Sequence, residues 1–224
     1  NSISADSRYL VLPGAGGTPA LVMRATGNDP SVGEGSVNAN AWSARASYKG
    51  KKMDYQYFAS QMGVLKNEVS DWGGNGLNQQ SSDERDFWYM KPSAGPATIT
   101  STWVVDNNDK YVVFVDGDLD IDANITVQPG GFLALVVNGN ISVGPGVTTL
   151  EGIFVADADF ITESAYLSGT QNDVALSVEG TVVAWGTTSF GRNLGTGNIL
   201  TPAEKFSYRP DFLINMPDKM KAFA

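Results

Sequence analysis

Four carboxylates at alternate positions, Asp116, Asp118, Asp120 and Asp122, form the densest charge cluster in the chain. On a single extended strand, alternate side chains leave one face about 6–7 Å apart. Hard oxygens at that pitch suit calcium, which takes about six to eight of them. The run lacks the ligand order and central glycine of an EF-hand loop. A solvated acidic face that discourages strand-edge pairing accounts for it equally well. Calcium is the only cofactor these residues raise.

A second set of acids raises sugar chemistry. Cleavage of a glycosidic bond needs two carboxyl groups about 5–5.5 Å or about 6.5–9.5 Å apart. Asp157, Asp159 and Glu179 are candidates if neighbouring strands stack them, and Trp88, Trp103 and Trp185 have faces that stack on sugar rings. Against this, any stacked strands bring outward acids together, and Trp103 and Trp185 alternate with residues that look exposed, which suits a core. No acid stands beside a basic partner that would single it out. The reading is therefore non-enzymatic, with glycan contact through Trp88, Asp157, Asp159 and Glu179 as the alternative.

Composition removes most other chemistry. The 224 residues include no His and no Cys, so Ser-His-Asp relays, thiol nucleophiles, disulfides and ordinary zinc sites are excluded. Fifteen basic residues against 24 acidic ones give a net charge of −9. That balance opposes nucleic acid and anionic lipid. No apolar stretch of about 18 residues is present to cross a membrane as a helix. The chain opens at Asn1 without a charged and apolar leader, so processing is expected to have removed any export signal. Gly14-Ala-Gly-Gly17 lacks the lysine of a phosphate loop, and the sequons at Asn124 and Asn140 are common by chance in an Asn-rich chain.

The elements that must position these residues divide near residue 100. Before it, Arg8–Leu12 and Pro19–Arg24 read as strands. Tyr55, Phe58, Met62, Leu65 and Val69 recur at helical spacing, which predicts an amphipathic helix over 53–70. After it, short apolar runs recur. Val112-Val-Phe-Val-Asp-Gly-Asp-Leu-Asp-Ile121 aligns with Leu133–Val143, Gly152–Ile161 and Ala175–Ala184. Gly117, Gly139, Ala158 and Gly180 then lie 22, 19 and 22 residues apart. Such a period predicts an all-β fold, a single-stranded parallel β-solenoid of about four to six rungs, in preference to a β-sandwich. Leu119 and Ile121 should then stack on Ile141 and Val143, and beyond them on Phe160 and Val182. Thr98–Val105 is read as an entry strand and 162–174 as a projecting loop.

Residues 100–220 resemble a group of bacterial cell-surface, pilus-associated proteins with a bactofilin-like parallel β-helical region. The likeness rests on Val113–Leu119, Gly131–Asn140, Gly152–Ala156 and the segment Thr201-Pro-Ala-Glu-Lys-Phe-Ser-Tyr-Arg-Pro-Asp-Phe-Leu-Ile-Asn215. It implies export to the cell surface and a structural or adhesive role, with protein partners or self-association, as in a filament or surface assembly. It brings no catalytic residues.

The expected organisation is a mixed capping region (1–96), the solenoid (97–191) and an extended tail (192–224) lying along it. Within the tail, Pro210 should hold Arg209 extended. Arg209 could then pair with Asp211, Glu204 or another acid, while Tyr208, Phe212, Leu213 and Met216 offer apolar surface to the flank.

Overall fold

The computed structural model describes residues 10–13, 19–22, 42–44, 52–62, 66–69, 87–90, 95–168 and 170–221, with backbone alone for the strands in 10–44, 66–69 and 87–90. β1 (Leu10–Pro13) and β2 (Pro19–Val22) form an antiparallel pair. Then come β3 (Trp42–Ala44), helix α1 (Tyr55–Met62), β4 (Lys66–Val69), β5 (Phe87–Met90), β6 (Ala97–Ile99) and β7 (Trp103–Val105). The central part carries β8 (Lys110–Val115), β9 (Leu119–Ile121), β10 (Ile125–Val127), β11 (Phe132–Val137), β12 (Ile141–Val143), β13 (Thr149–Ala156) and β14 (Phe160–Thr162). β15 (Leu176–Ala184), β16 (Thr188–Phe190), a 3-10 turn (Gly195–Ile199), β17 (Glu204–Ser207), α2 (Asp211–Asn215) and α3 (Asp218–Lys221) complete it.

Two open sheets result. The larger runs β17-β15-β13-β11-β8-β5-β4, with β7 and β10 pairing beside it onto the start of β13. The smaller runs β3-β16-β14-β12-β9-β6. Pairing within both is parallel except for β3, which lies antiparallel on β16. The chain therefore passes from one sheet to the other at each level, and residues of like position fall in columns. Leu119 lies beside Ile141 and Ile121 beside Val143.

The expected all-β solenoid, or β-helix, is corrected: the fold is mixed α/β, with three helices among the described residues and two sheets that do not close. The physical reason lies in the larger sheet. β11 is buried at all six positions and β8 at its last five. A strand without a wet face needs cover on both sides. One side meets the smaller sheet. On the other, Tyr55 of α1 stands edge-on to Phe114 at 5.6 Å, and Phe212 of α2 edge-on to Phe132 at 6.2 Å. By contrast β9, β12 and β14 each alternate buried, half-buried, buried, so one face suffices there.

Three local expectations also change. The helix stops at Met62, and 66–69 is strand, so Val69 belongs to β4 and Leu65 falls outside the described residues. Gly63, a poor helix residue, follows directly. At its start, Asp54 accepts the Tyr57 N–H through Oδ1 at 2.9 Å, an N-cap. The entry run is two strands, β6 and β7, separated by a corner. Finally, Gly180 does not continue the Gly117 column. It pairs with Gly152 in the larger sheet, Val182 pairs with Phe154, and Thr188 lies beside Phe160. The column continues at Gly186 because the 163–174 segment lengthens that level.

Ile141 is fully buried between Leu119 and Phe160. Ile141→Asp should cost about 4 kcal/mol or more, a large share of a domain's usual stability of about 5–15 kcal/mol. Urea unfolding followed by circular dichroism checks this; an unchanged midpoint would refute the column.

Candidate functional site

The acidic run does not lie on one strand. β8 ends at Val115 and β9 covers only 119–121, so Asp116 and Asp118 sit on the corner between sheets, Asp120 on β9, and Asp122 beyond it. At this corner the carboxylates meet backbone. Asp118 Oδ1 accepts the Asn140 N–H at 2.7 Å, Asn140 Oδ1 accepts that of Asp159 at 3.0 Å, and Asp159 Oδ1 accepts that of Thr187 at 2.6 Å. Each level thus ties down the next through one short Asx side chain. Asn138 adds a parallel link, donating to Asp116 Oδ1 at 2.9 Å.

Glycine makes room where two of these side chains descend. A Cβ on Gly139 would collide with Asp118 Oδ1, and one on Gly186 with Asp159 Oδ1. Gly117 instead has a positive φ of 144°. Among the described residues no three acidic side chains converge on a common point that could hold a metal ion. Burial, and then repulsion from Asp122 and Asp118, holds the Asp120 carboxyl above the ordinary carboxylate range.

The sugar-contact candidates fall in different parts of the fold, with Asp157 and Asp159 two residues apart and Glu179 elsewhere. Asp157 Oδ1 accepts the Tyr55 N–H at 2.8 Å, anchoring α1, and its pKa is raised chiefly by burial. Glu179 pairs in register with Glu151 in the larger sheet. Glu151 is six residues before Asp157, about 20 Å along a strand, so Glu179 and Asp157 are not brought together. Trp103 is buried beside Tyr111, with ring centroids 5.8 Å apart. Trp185 donates Nε1–H to the Met53 carbonyl at 3.1 Å under the Lys52 ammonium. Trp88 lies in β5, where side chains fall outside the described residues.

An open cleft of about 630 Å³ is lined by Thr126, Gln128, Glu151, Glu179, Arg209 and Asp211 among others. Arg209 dominates it. Its Nη1 donates to Glu151 Oε2 at 2.8 Å, and its Nε and Nη2 hold both Asp211 oxygens at 3.0 and 2.6 Å. Glu151 Oε2 also accepts the Val127 N–H at 2.8 Å. The Asp211 hydrogen bond raises the Arg209 pKa, and the same bond lowers that of Asp211. The guanidinium lies 4.4 Å from the Phe212 ring, which packs near Gly180. This is a clamp that seats α2 on the sheet. Of the expected apolar set, Phe212 and Met216 are buried, whereas Tyr208 and Leu213 are 62% and 56% exposed. The five-residue helix turns Leu213 away from the sheet, and Tyr208 lies before the helix begins.

A buried polar group closes the last level and was not singled out in the sequence. Arg192 donates from Nη1 to the carbonyls of Val147 and Val174 at 2.6 and 2.9 Å, and from Nη2 to that of Gly144 at 2.7 Å. Glu204 Oε1 accepts the Arg192 N–H at 2.9 Å and the Thr162 hydroxyl at 2.7 Å. Asp173 gathers the Ser164 hydroxyl and the N–H groups of Ala165 and Asn193, pinning the 163–174 segment. Burial raises the Glu204 pKa, opposed by its hydrogen bonds and by Arg192.

Beyond this group the stack is open on one side. Trp103, Ile125, Leu150, Val178 and Phe206 follow one another in register down the larger sheet. The first four are at most 1% exposed, but Phe206 is 42% exposed, although its ring lies 5.0 Å from Phe190. Ile199 and Leu200, just before β17, are 56% and 85% exposed. No family model, curated protein or solved structure matches the chain.

Two outcomes follow. Asp118→Ala should cost about 1–2 kcal/mol through loss of a charge-assisted bond to backbone, with Asp118→Asn retaining most of it; chemical denaturation reads both, and equal losses would refute the ladder. Glu204 has a folded pKa above its ordinary 4.5. The folded state therefore binds that proton more tightly, and stability should fall as pH rises from 4.5 through the raised value. Glu204→Gln should remove this part of the slope in melting temperature against pH. An identical slope would refute it.

Proposed function

We propose that the chain is a non-enzymatic structural or adhesive module of a cell-surface assembly. The single observation that carries this reading is the use of its polar groups. Asp116, Asp118, Asp157, Asp159, Glu151 and Asp211 all hold backbone or side-chain donors of the chain itself, while the last level exposes the large apolar side chains Ile199, Leu200 and Phe206. An acid that catalyses must meet substrate, and these are committed to the fold. Apolar surface at the end of a parallel sheet suits contact with another macromolecule. Placement at the cell surface is supported by the resemblance of residues 100–220 to pilus-associated proteins.

The test is paired. The chain should co-sediment saturably with isolated bacterial envelopes and release no reducing sugar from a panel of polysaccharides. Turnover of any glycan that is lost in Glu179→Gln would overturn the reading, as would failure to bind envelope material at any concentration.

A further inference from the structure

The corner between β11 and β12 holds an Asn-Gly pair, Asn138-Gly139. Asn138 is exposed, and its side-chain amide donates to Asp116 Oδ1 at 2.9 Å. A hydrogen bond between exposed groups competes with water and adds little net hold. Gly139 presents no side chain, and the Asp118 carboxylate leaves no room for one. Among the described residues no acceptor takes the Gly139 N–H. The backbone nitrogen next to the Asn138 side chain is therefore both uncrowded and unbonded. Asn140 is the opposite case. The branched Ile141 follows it, and the Ile141 N–H is held by the Asp159 carbonyl at 2.9 Å.

Register joins this corner to helix α1. Asp116, Asn138 and Asp157 directly follow Val115, Val137 and Ala156, which lie side by side at steps of about 4.8 Å. Asn138 is thus the neutral member between two acids. Asp157 uses its Oδ1 to hold the Tyr55 N–H at 2.8 Å, at the first residue of α1. Its other charged neighbours, Lys52 and Asp54, are one of each sign.

We propose that Asn138 is a self-modification site, a slow deamidation switch whose product loosens α1. The Gly139 nitrogen attacks Asn138 Cγ and forms a new N–C bond, while the Cγ–Nδ2 bond breaks. Nδ2 leaves as ammonia, carrying away the proton that the Gly139 nitrogen gives up. Water then opens the succinimide ring at either carbonyl, giving aspartate or isoaspartate. Nothing is oxidised or reduced. Either product sets a carboxylate between Asp116 and Asp157, and like charges in facing positions repel. Isoaspartate also adds a backbone carbon at the corner where Asp118 Oδ1 must meet the Asn140 N–H. The repulsion falls on the carboxylate that anchors α1, and α1 covers the larger sheet at Phe114.

The full chain, aged in warm, mildly alkaline buffer, tests this by tandem mass spectrometry of its peptides. The expected result is progressive conversion of amide to acid at residue 138 while Asn140 keeps its amide. The other such pair in the chain, Asn75-Gly76, is scored separately by its own peptide. An amide fully retained at 138, under conditions where the urea-unfolded chain loses it, would overturn the site. Asn138→Asp supplies one product directly. It should speed hydrogen exchange of the α1 amides by about twofold to fivefold over the parent. Added salt screens exposed charge, so that gap should narrow as salt rises. Asn138→Gln stays neutral, and its α1 amides should exchange as the parent's do. The aged parent, with its fraction converted at residue 138 isolated by ion exchange and checked by peptide mass, should repeat the acceleration without any substitution. Parent-like α1 exchange in both Asn138→Asp and that aged fraction, or equal acceleration in Asn138→Gln, would overturn the link to α1.

Discussion

Burial of the larger sheet on both faces is the constraint from which the rest of the architecture follows. β8 and β11 present no wet surface, and β13 is buried from Gly152 to Ala156. Covering one face with the smaller sheet leaves a second apolar face about as wide. Each Phe or Val on it is worth about 1.5–3 kcal/mol when removed from water. Helix α1 and the C-terminal helices supply that cover from opposite ends of the sequence. They meet where Lys219 Nζ donates to the Met62 carbonyl at 3.2 Å, placing a cation at the C-terminus of α1. The helices are therefore part of the core.

Stacking successive levels creates a second requirement, because each corner interrupts the regular ladder and leaves N–H groups to be satisfied. The short side chains of Asp118, Asn140 and Asp159 meet it by reaching one level down. Glycine beside them is a consequence of that reach. Among the described residues these acids thus serve the structure.

The two ends of the stack are finished differently. Arg192, Glu204 and Asp173 seal the last level from within by satisfying carbonyl and N–H groups. They leave Phe206 as the final member of a core column, with Ile199 and Leu200 beside it in solvent. A core column with one exposed member is incomplete in the same sense as an unpaired edge strand. The functional reading turns on this incompleteness. On the proposed reading, a body whose described acids hold its own donors and whose last level exposes Phe206, Ile199 and Leu200 is suited to assembly.

Sequence periodicity alone was enough to set Leu119 beside Ile141 and Ile121 beside Val143, because alternation and a regular turn residue repeat closely over those two levels. The pairing of Arg209 with an acid was legible as a possibility from Pro210 and the nearby Asp211. The identity of Glu151 as its second partner was not, since 58 residues separate them. The continuous apolar runs Val112–Val115 and Leu133–Val137 carried the signal of two-sided burial, yet a run without alternation does not say what lies on either face. The fourth glycine was misplaced because the 163–174 segment stretches one level, and sequence spacing cannot distinguish a long level from a skipped one. Tertiary structure decided those points, and the destiny of the acids with them: whether a carboxylate faces solvent, a metal or a backbone N–H depends on which strand lies one spacing away.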